Sequence, residues 1–279
     1  MQKKISYRGE GGFCCIVEQY ERYEHFTHLH DWFEYLFCRQ GEIRLQLDGK
    51  PVTLCAGDSI LIFPMQIHSL QIPAGSDACI LTFSGDLVPE FRHILSKRML
   101  RCDAPFQMQS FINDYAFSRL QDYENATLLT LHVCCGMLCN EFLTFAPKMT
   151  TLERNKLYTK TVDYINTHYA QKLTLSMVAE AVHANADYLS RLLIRYNGIR
   201  FSEYLRLIRV NKAAQLIKDT DKKLYEIAEA VGYMNMRSFN RDFKRILGMP
   251  SAYKRSFGLP PHEKKLEYVP NDITIFINE

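Results

Sequence analysis

Three histidines and one glutamate stand at spacings that allow their side chains to meet. His28 and His30 are two residues apart, and residues two apart on a β-strand point to the same face. Glu34 follows four residues later, and His68 lies in a later strand-like segment that could pair alongside. Three imidazoles and a carboxylate suit Zn, Fe, Mn or Ni. The first hypothesis for these residues is therefore a divalent metal site.

The positions around these side chains resemble the two sequence motifs of cupin proteins. The motifs have the form His-x-His-x(3)-Glu-x(6)-Gly and Gly-x(n)-Pro-x(3)-His, and Gly41, Gly57 and Pro64 supply their remaining residues. The gap between Gly57 and Pro64 is one residue longer than the common spacing, which changes where His68 points. The resemblance implies that this segment folds as a cupin-like β-barrel.

Short apolar runs broken by turn residues fill residues 14–83. Apolar and polar residues alternate over residues 43–47, which is typical of a strand. Asp48 and Gly49 then predict a hairpin turn, and residues 52–54 predict the second strand of the hairpin. Such closely spaced strands predict an antiparallel barrel or sandwich.

Residues 106–145 have apolar residues at helical spacing and predict a helical hairpin. Its apolar face is the expected dimer interface, and packing of that face on its own barrel is the alternative. The face is formed by Leu128, Leu131, Cys135, Leu138 and Phe142.

One helix-turn-helix pattern occurs twice between residues 174 and 248. The first helices correspond at an offset of 49 residues, matching Leu175, Val178, Ala179 and Val182 with Leu224, Ile227, Ala228 and Val231. Their i, i+3, i+4, i+7 spacing is typical of an amphipathic helix. After the turn, Arg191 and Gly198 recur as Arg241 and Gly248 at an offset of 50. Each second helix has the size to enter a DNA major groove.

Polar side chains cover the outward faces of the two second helices once the packing residues are assigned. They are Asp187, Ser190, Arg191 and Arg195 in the first unit, and Met236, Arg237, Asn240, Arg241 and Lys244 in the second. Arginine can bind guanine through two hydrogen bonds, asparagine can bind adenine, and lysine adds affinity through phosphates. Asp187 has two open interpretations. Its carboxylate could accept a hydrogen bond from a cytosine amino group, or it could serve only to stabilise the N-terminus of the helix through the helix dipole.

The charge of the chain divides unevenly along its length. Residues 1–150 have a balance of −4 and residues 151–279 a balance of +7, which together give the net charge of +3. An acidic first half and a basic second half fit a chain whose second half binds a polyanion.

Residues 172–257 resemble the C-terminal domain of AraC/XylS transcription regulators. The matching strings are Tyr-Leu-Ser-Arg-Leu at 188–192, Tyr-Leu-x(3)-Arg at 204–209, Ile-Ala-x(3)-Gly-Tyr at 227–233 and Ser-Phe-Asn-Arg-Asp-Phe-Lys at 238–244. The resemblance implies a seven-helix, all-α domain in which a long central helix bridges two helix-turn-helix units. It also implies that the units enter successive major grooves and that the outward residues read bases. One departure is His183, where the family often has glycine.

The same resemblance offers a second interpretation of the histidines. Sensor domains of this family, as the resemblance implies, generally bind a small organic effector and mostly hold no metal. His28, His30, Glu34 and His68 are therefore candidate effector ligands, with a sugar or related metabolite as the expected effector. A metal-dependent cupin enzyme, with these four residues as ligands and an accessory helical domain, is the alternative function.

These features together predict a multidomain α+β protein that regulates transcription. The expected parts are a cupin-like effector-binding and dimerisation domain at residues 1–147, a double helix-turn-helix domain at 155–258 and a tail at 259–279. Nine cysteines without a Cys-x-x-Cys pair, and the lack of a leader or an 18-residue apolar run, predict a cytoplasmic location and no membrane partner. We expect no enzymatic activity and no cofactor beyond a possible divalent metal. The expected partners are double-stranded DNA, the effector, a second copy of the chain and, at promoters, RNA polymerase.

Overall fold

The computed structural model describes residues 3–9, 14–97, 100–101, 104–122, 124–145, 150–151, 156–247, 250 and 263–266. The strands are β1 (Lys3–Gly9), β2 (Cys14–Tyr20), β3 (Tyr23–His28), β4 (Phe33–Gln40), β5 (Glu42–Leu47), β6 (Lys50–Cys55), β7 (Asp58–Ile62), β8 (His68–Ile72), β9 (Asp77–Phe83), β10 (Leu100–Arg101), β11 (Phe106–Gln107), β12 (Thr150–Thr151) and β13 (Glu263–Leu266). The helices are α1 (Pro89–Lys97), α2 (Ser110–Gln121), α3 (Leu128–Phe145), α4 (Lys156–His168), α5 (Leu175–Ala181), α6 (Ala186–Asn197), α7 (Phe201–Asp219), α8 (Leu224–Ala230) and α9 (Met236–Leu247).

The front domain consists of the described residues within 3–145 together with β13, and its strands form two main sheets. The larger has the order β11-β7-β4-β9-β2-β1-β13 and the smaller the order β3-β8-β5-β6. The prediction of an antiparallel β domain is confirmed. The predicted closed barrel is not observed, because within the described residues no hydrogen-bonded ladder joins the two sheets. Two sheets can bury their apolar faces by packing against each other without a closing ladder.

The hairpin predicted at Asp48 and Gly49 is present. These two residues alone connect β5 to β6, and their φ angles are 49° and 79°. Two consecutive positive φ values are the mark of a type I′ turn, whose twist matches that of the flanking strands. Along β5 the side chains alternate between buried and exposed, as the sequence predicts.

The helical hairpin α2–α3 packs on the sheets of its own domain. Leu131, Leu138 and Phe142 are fully buried in the front core. The ring of Phe142 meets those of Phe63 and Phe106 edge-on, with centroids 5.6 and 5.5 Å apart. The prediction that this face of α3 forms the dimer interface is therefore wrong, because the front sheets already bury it.

Helices α4 to α9 form the rear domain, described at residues 156–247. The long helix α7 lies between the two helix-turn-helix units and contacts α6, α8 and α9. The seventh helix implied by the family resemblance would follow Leu247, and within residues 248–262 the structure describes Pro250 alone. The predicted boundaries at residues 147 and 155 also lie outside the described residues. Among the helices that are described, none is both long and apolar enough to cross a bilayer.

The two domains share contacts along one side of the smaller sheet. Leu29 and Ile67 of the front domain are buried within the core of the rear domain. Strand β3 contacts α9, and the β5–β6 turn lies against Gly198 at the end of α6. The front domain therefore touches the second helix of both units.

Part of the predicted C-terminal tail is also described. Strand β13 pairs in parallel with β1, with Ser6 opposite Glu263 and Gly9 opposite Leu266. The tail thus contributes an edge strand to the larger front sheet.

Candidate nucleic-acid interface and histidine cluster

The two helix-turn-helix units repeat each other in backbone geometry. Their tight turns contain His183 with φ of 56° and Gly232 with φ of 88°, at equivalent positions 49 residues apart. Positive φ is unusual for a residue other than glycine, although histidine tolerates it better than most. The departure from the family's glycine at His183 therefore leaves the turn intact at a cost in backbone strain.

The second helices, α6 and α9, are called the reading helices below, and both begin at an asparagine. The side-chain oxygen of Asn185 accepts from the Tyr188 amide at 3.1 Å, and that of Asn235 accepts from the Ser238 amide at 2.9 Å. Each cap satisfies an otherwise unpaired amide at the N-terminus of its helix. The two caps are 50 residues apart and start the reading helices in the same way.

Each predicted reading residue has at least part of its surface open to solvent. The packing positions of the reading helices are buried, as predicted: Leu189, Leu192, Leu193 and Tyr196 in α6, and Phe239, Phe243 and Ile246 in α9. The exposed residues are Asp187, Arg191, Arg195, Arg237, Arg241 and Lys244, and the half-buried ones are Ser190, Met236 and Asn240. Met236 packs partly against the rear core, so it offers less contact surface than the sequence suggests.

A buried carboxylate restrains one of the predicted reading residues. Asp242 accepts from Arg241 Nε at 3.1 Å, and its other oxygen lies 3.2 Å from Arg206 Nε and 3.4 Å from the Tyr233 hydroxyl. The side chain of Arg241 is still 70% exposed. This arrangement restricts the guanidinium and connects α9 to the central helix α7.

Exposed apolar side chains on or beside the reading helices are missing from the sequence prediction, and Tyr188 and Met234 are two of them. Tyr188 follows Asp187 in the first turn of α6, and Met234 stands just before α9 and is 92% exposed. Apolar side chains at such places can contact thymine methyl groups. The sequence signal that could have identified these residues is a large apolar side chain at a position that the amphipathic pattern assigns to solvent.

The structure brings His28, His30, Glu34 and His68 together, as the sequence predicts. One ligand atom from each lies within 4.8 Å of the others. His28 and His68 are paired residues of β3 and β8, with ring centroids 4.1 Å apart. Glu34 Oε2 lies 2.9 Å from His30 Nε2 and 3.6 Å from His68 Nε2. We call these four residues the histidine cluster.

Backbone carbonyls hold two rings of the cluster. His30 Nδ1 lies 3.1 Å from the Trp32 oxygen, and His68 Nδ1 lies 2.9 Å from the Gln66 oxygen. Burial alone raises the pKa of Glu34, but His68 and His30 hold that pKa well below its usual value. Burial alone lowers the pKa of His68, but Glu34 raises it above the usual value.

Two of the clefts formed by the described residues of the front domain are not lined by the histidine cluster. One, of about 710 Å³, is lined by Arg22, Tyr23, Glu24, Gln71 and residues 72–74. The other, of about 330 Å³, lies between α1 and α3 and is mostly apolar. Its lining includes Leu87, Phe91, Ile94, His132 and Leu143.

Comparison with known proteins agrees with this two-part architecture. Residues 178–256 match the family model of a helix-turn-helix domain, and residues 10–111 match that of an AraC-like ligand-binding domain. The HTH-type transcriptional regulator YobQ of Bacillus subtilis is 22% identical over 242 residues, covering 87% of this chain and 93% of that protein. The melibiose operon regulatory protein of Escherichia coli is 32% identical over 93 residues, covering 33% of this chain and 31% of that protein.

Among solved structures, ToxT from Vibrio cholerae with an unsaturated fatty acid bound resembles most of the chain. Its TM-score is 0.61 at 16% identity, covering 90% of this chain and 98% of that one. At this identity the likeness concerns the fold, and both the sheet domain and the helical domain belong to it.

Proposed function

The chain belongs to the AraC family of transcription regulators, and from that premise we propose that α6 and α9 bind two successive major grooves of one DNA duplex. The observation that carries the proposal is the repeat of the reading helices. Both begin at an asparagine cap, and Arg191 and Arg241 are exposed at equivalent positions. A regulator with two such helices on one chain can contact two groove segments about one helical turn apart.

A protection experiment on the DNA upstream of the chain's own gene tests this proposal. We expect two protected major-groove segments on one face of the duplex, spaced by about 10 base pairs. Binding should weaken linearly in a plot of log affinity against log salt, because arginines and lysines displace counterions from phosphates. The proposal would be contradicted if the protein, at low salt, bound none of the promoter fragments tested.

We further propose that the chain acts as a homodimer through the outer face of the helical hairpin. Phe111 and Tyr115 on α2 are exposed, and so are Leu129 and Val133 on α3. Large exposed apolar side chains on two helices that pack against each other favour a protein contact. Pairing two copies multiplies the modest specificity of one pair of reading helices, which is why a second copy is the proposed occupant.

A sugar or related metabolite is the first proposed effector. The melibiose operon regulatory protein is among the relatives, which supports this class, although the match covers only a third of either chain. The cleft at Arg22, Tyr23, Glu24 and Gln71 offers hydrogen-bond donors and acceptors beside an aromatic ring. Convergent polar groups of this kind fix the orientation of a small ligand.

An apolar acid is a second candidate effector, favoured by the groove between α1 and α3. Its apolar lining and its volume of about 330 Å³ are typical of a ligand pocket. The fatty acid bound to ToxT belongs to this chemical class. Thermal shift with melibiose and with an unsaturated fatty acid separates the two candidates. Gln71→Ala should abolish only the sugar response and Ile94→Ala only the fatty-acid response.

The relatives are transcriptional regulators, and the chain is a regulator rather than an enzyme. Its proposed place of action is the cytoplasm, where it would meet DNA. Contact with RNA polymerase is proposed for promoters at which the bound regulator activates transcription.

A further inference from the structure

The histidine cluster has the composition and geometry of a site for one metal ion. Its four side chains come from β3, β4, β8 and the segment between β3 and β4, and they converge within 4.8 Å. We propose that His28, His30, Glu34 and His68 bind a divalent first-row transition metal ion, and that this ion controls how the front domain holds the reading helices. The control over DNA binding rests on the proposed function, whereas the metal site stands independently of it.

The hydrogen bonds of the rings prepare two nitrogens for a cation. A carbonyl oxygen only accepts, so Nδ1 of His30 and Nδ1 of His68 must carry the protons that face the Trp32 and Gln66 carbonyls. Without an ion, the 2.9 Å hydrogen bond between His30 Nε2 and Glu34 Oε2 requires a proton on that nitrogen, because the ionised carboxylate only accepts. A bound ion would displace this proton and take the Nε2 lone pairs of both rings. Histidines that bind metals typically donate their other N–H to a carbonyl or carboxylate in this way.

Two buried atoms of the cluster also lack a hydrogen-bond partner in the described part of the chain. Within the residues that the structure describes, Glu34 Oε1 and His68 Nε2 have no hydrogen bond. Leaving such buried atoms without a hydrogen bond lowers the stability of the fold, and more so when the group is charged. A metal ion would satisfy both atoms and offset the negative charge of Glu34.

The space among these side chains suits an ion rather than an organic effector. Metal bonds of about 2.0–2.2 Å to nitrogen and oxygen place the ligand atoms of one site within roughly 4.4 Å of each other. The observed limit of 4.8 Å requires only small side-chain rotations to reach that geometry. A sugar would require the four side chains to separate by the width of a ring.

The chain segments that carry the cluster also carry the contact with the rear domain. Leu29 stands between His28 and His30, and Ile67 directly precedes His68. Both apolar side chains are buried in the rear core. Because alternate residues point to opposite faces of an extended segment, the imidazoles face the cluster while their neighbours face the rear domain. Drawing the imidazoles onto an ion therefore moves the residues that support the rear domain.

Both reading helices lie within reach of this movement. The Asp48 carboxylate accepts from Gln66 Nε2 at 3.1 Å and from the Ile67 amide at 3.3 Å, which ties the β5–β6 turn to the segment that precedes His68. The same turn touches Gly198 at the end of α6. Strand β3, which ends at His28, contacts α9. The cluster is thus connected to each reading helix through directly contacting residues.

Calorimetric titration of the full chain, stripped with a chelator, tests the site with Zn²⁺, Mn²⁺, Ni²⁺ and anaerobic Fe²⁺. We expect at least one of these ions to bind one per chain. The near-isosteric Glu34→Gln change and His68→Ala should each weaken that ion at least roughly tenfold. His93→Ala, at an exposed histidine on α1, is the matched control and should leave the affinity unchanged. X-ray absorption on the wild-type complex should show imidazole and oxygen ligands, which covers the case of a variant that misfolds.

The coupling is tested by measuring DNA affinity with and without the bound ion. The ion should change the affinity for DNA at least about fivefold, and DNA should change the affinity for the ion by the same factor, because linkage is reciprocal. Failure of all four ions to bind below roughly millimolar concentration would overturn the site. Binding of one ion per chain with unchanged DNA affinity would overturn the proposal that the ion controls DNA binding. A chain that binds the ion but no DNA would confirm the metal site and contradict the proposed function instead.

Discussion

Gly198, which ends the first reading helix, lies directly against the backbone of Asp48 in the front domain. A β-carbon placed at Gly198 would lie 2.5 Å from the Asp48 carbonyl oxygen and 2.8 Å from the Gly49 nitrogen. Gly198 has φ of 71°, so its backbone is also in the left-handed region. The first reading helix therefore ends against the sensor domain without any side chain between the two backbones.

Substituting Gly198 by alanine should disturb this contact. The change introduces both left-handed strain, about 1–2 kcal/mol, and a clash with Asp48 that a packed structure relieves at a further cost of about 1–3 kcal/mol. The matched control is Gly75→Ala, because Gly75 has φ of 86° but no atom within 4 Å of an added β-carbon. Urea unfolding should show the larger loss of stability for Gly198→Ala. Equal losses would mean that the domain contact contributes nothing.

The reading residues should separate into two classes when DNA binding is measured. Arg191→Ala and Arg241→Ala should each lose about 1–3 kcal/mol of discrimination between the specific site and a mutated site. Lys244→Ala, near the end of α9, should weaken binding to all sequences alike and reduce the salt dependence. Gel-shift titrations on specific and scrambled duplexes measure both quantities. Equal, sequence-independent losses from all three variants would show that the reading faces are wrongly assigned.

Much of this architecture is predictable because the signals are local. The two-residue turn at Asp48 and Gly49 and the repeat of Arg191 and Arg241 each depend on residues close in sequence or on an internal copy. The meeting of His28 with His68 is also predictable, since strand alternation directs both to one face. In these cases a short-range backbone preference and the final fold agree.

Other features depend on contacts that leave no local pattern. The apolar face of α3 shows that Leu131 and Phe142 are buried, but not whether a second chain or the domain's own sheets cover them. Gly198 is explained locally as a helix end, so its approach to Asp48, 150 residues earlier, cannot be inferred from its neighbours. The closure of a barrel likewise depends on how strands distant in sequence pair.

Removing the exposed apolar surface of the helical hairpin should separate the proposed dimer. We expect the double change Leu129→Asp and Val133→Asp to weaken self-association at least roughly tenfold, because charges replace apolar area in the interface. Met177→Asp places the same charge at an exposed apolar position on α5 and is the control. Sedimentation velocity over a range of concentrations measures the change. A dimer that survives the double change would place the interface elsewhere.

The cysteines should differ sharply in reactivity with an alkylating reagent. Burial raises the pKa of Cys79 to about 12 and that of Cys139 well above its usual value, whereas Cys55 is exposed. Since the thiolate is the reactive form and the reagent must reach the sulfur, the two buried thiols should be labelled far more slowly than the exposed Cys55. Peptide mapping by mass spectrometry distinguishes the sites. Labelling of Cys139 in the folded chain at the rate of Cys55 would contradict the prediction.

The pairing of β13 with β1 sets an order of events during synthesis. Strand β1 leaves the ribosome before either reading helix, yet the strand that covers its outer edge is made more than 250 residues after it. Until then the nascent sheet presents open backbone amides and carbonyls, a surface on which other unfolded chains can add strands. Completion of the front sheet therefore waits for translation of both reading helices.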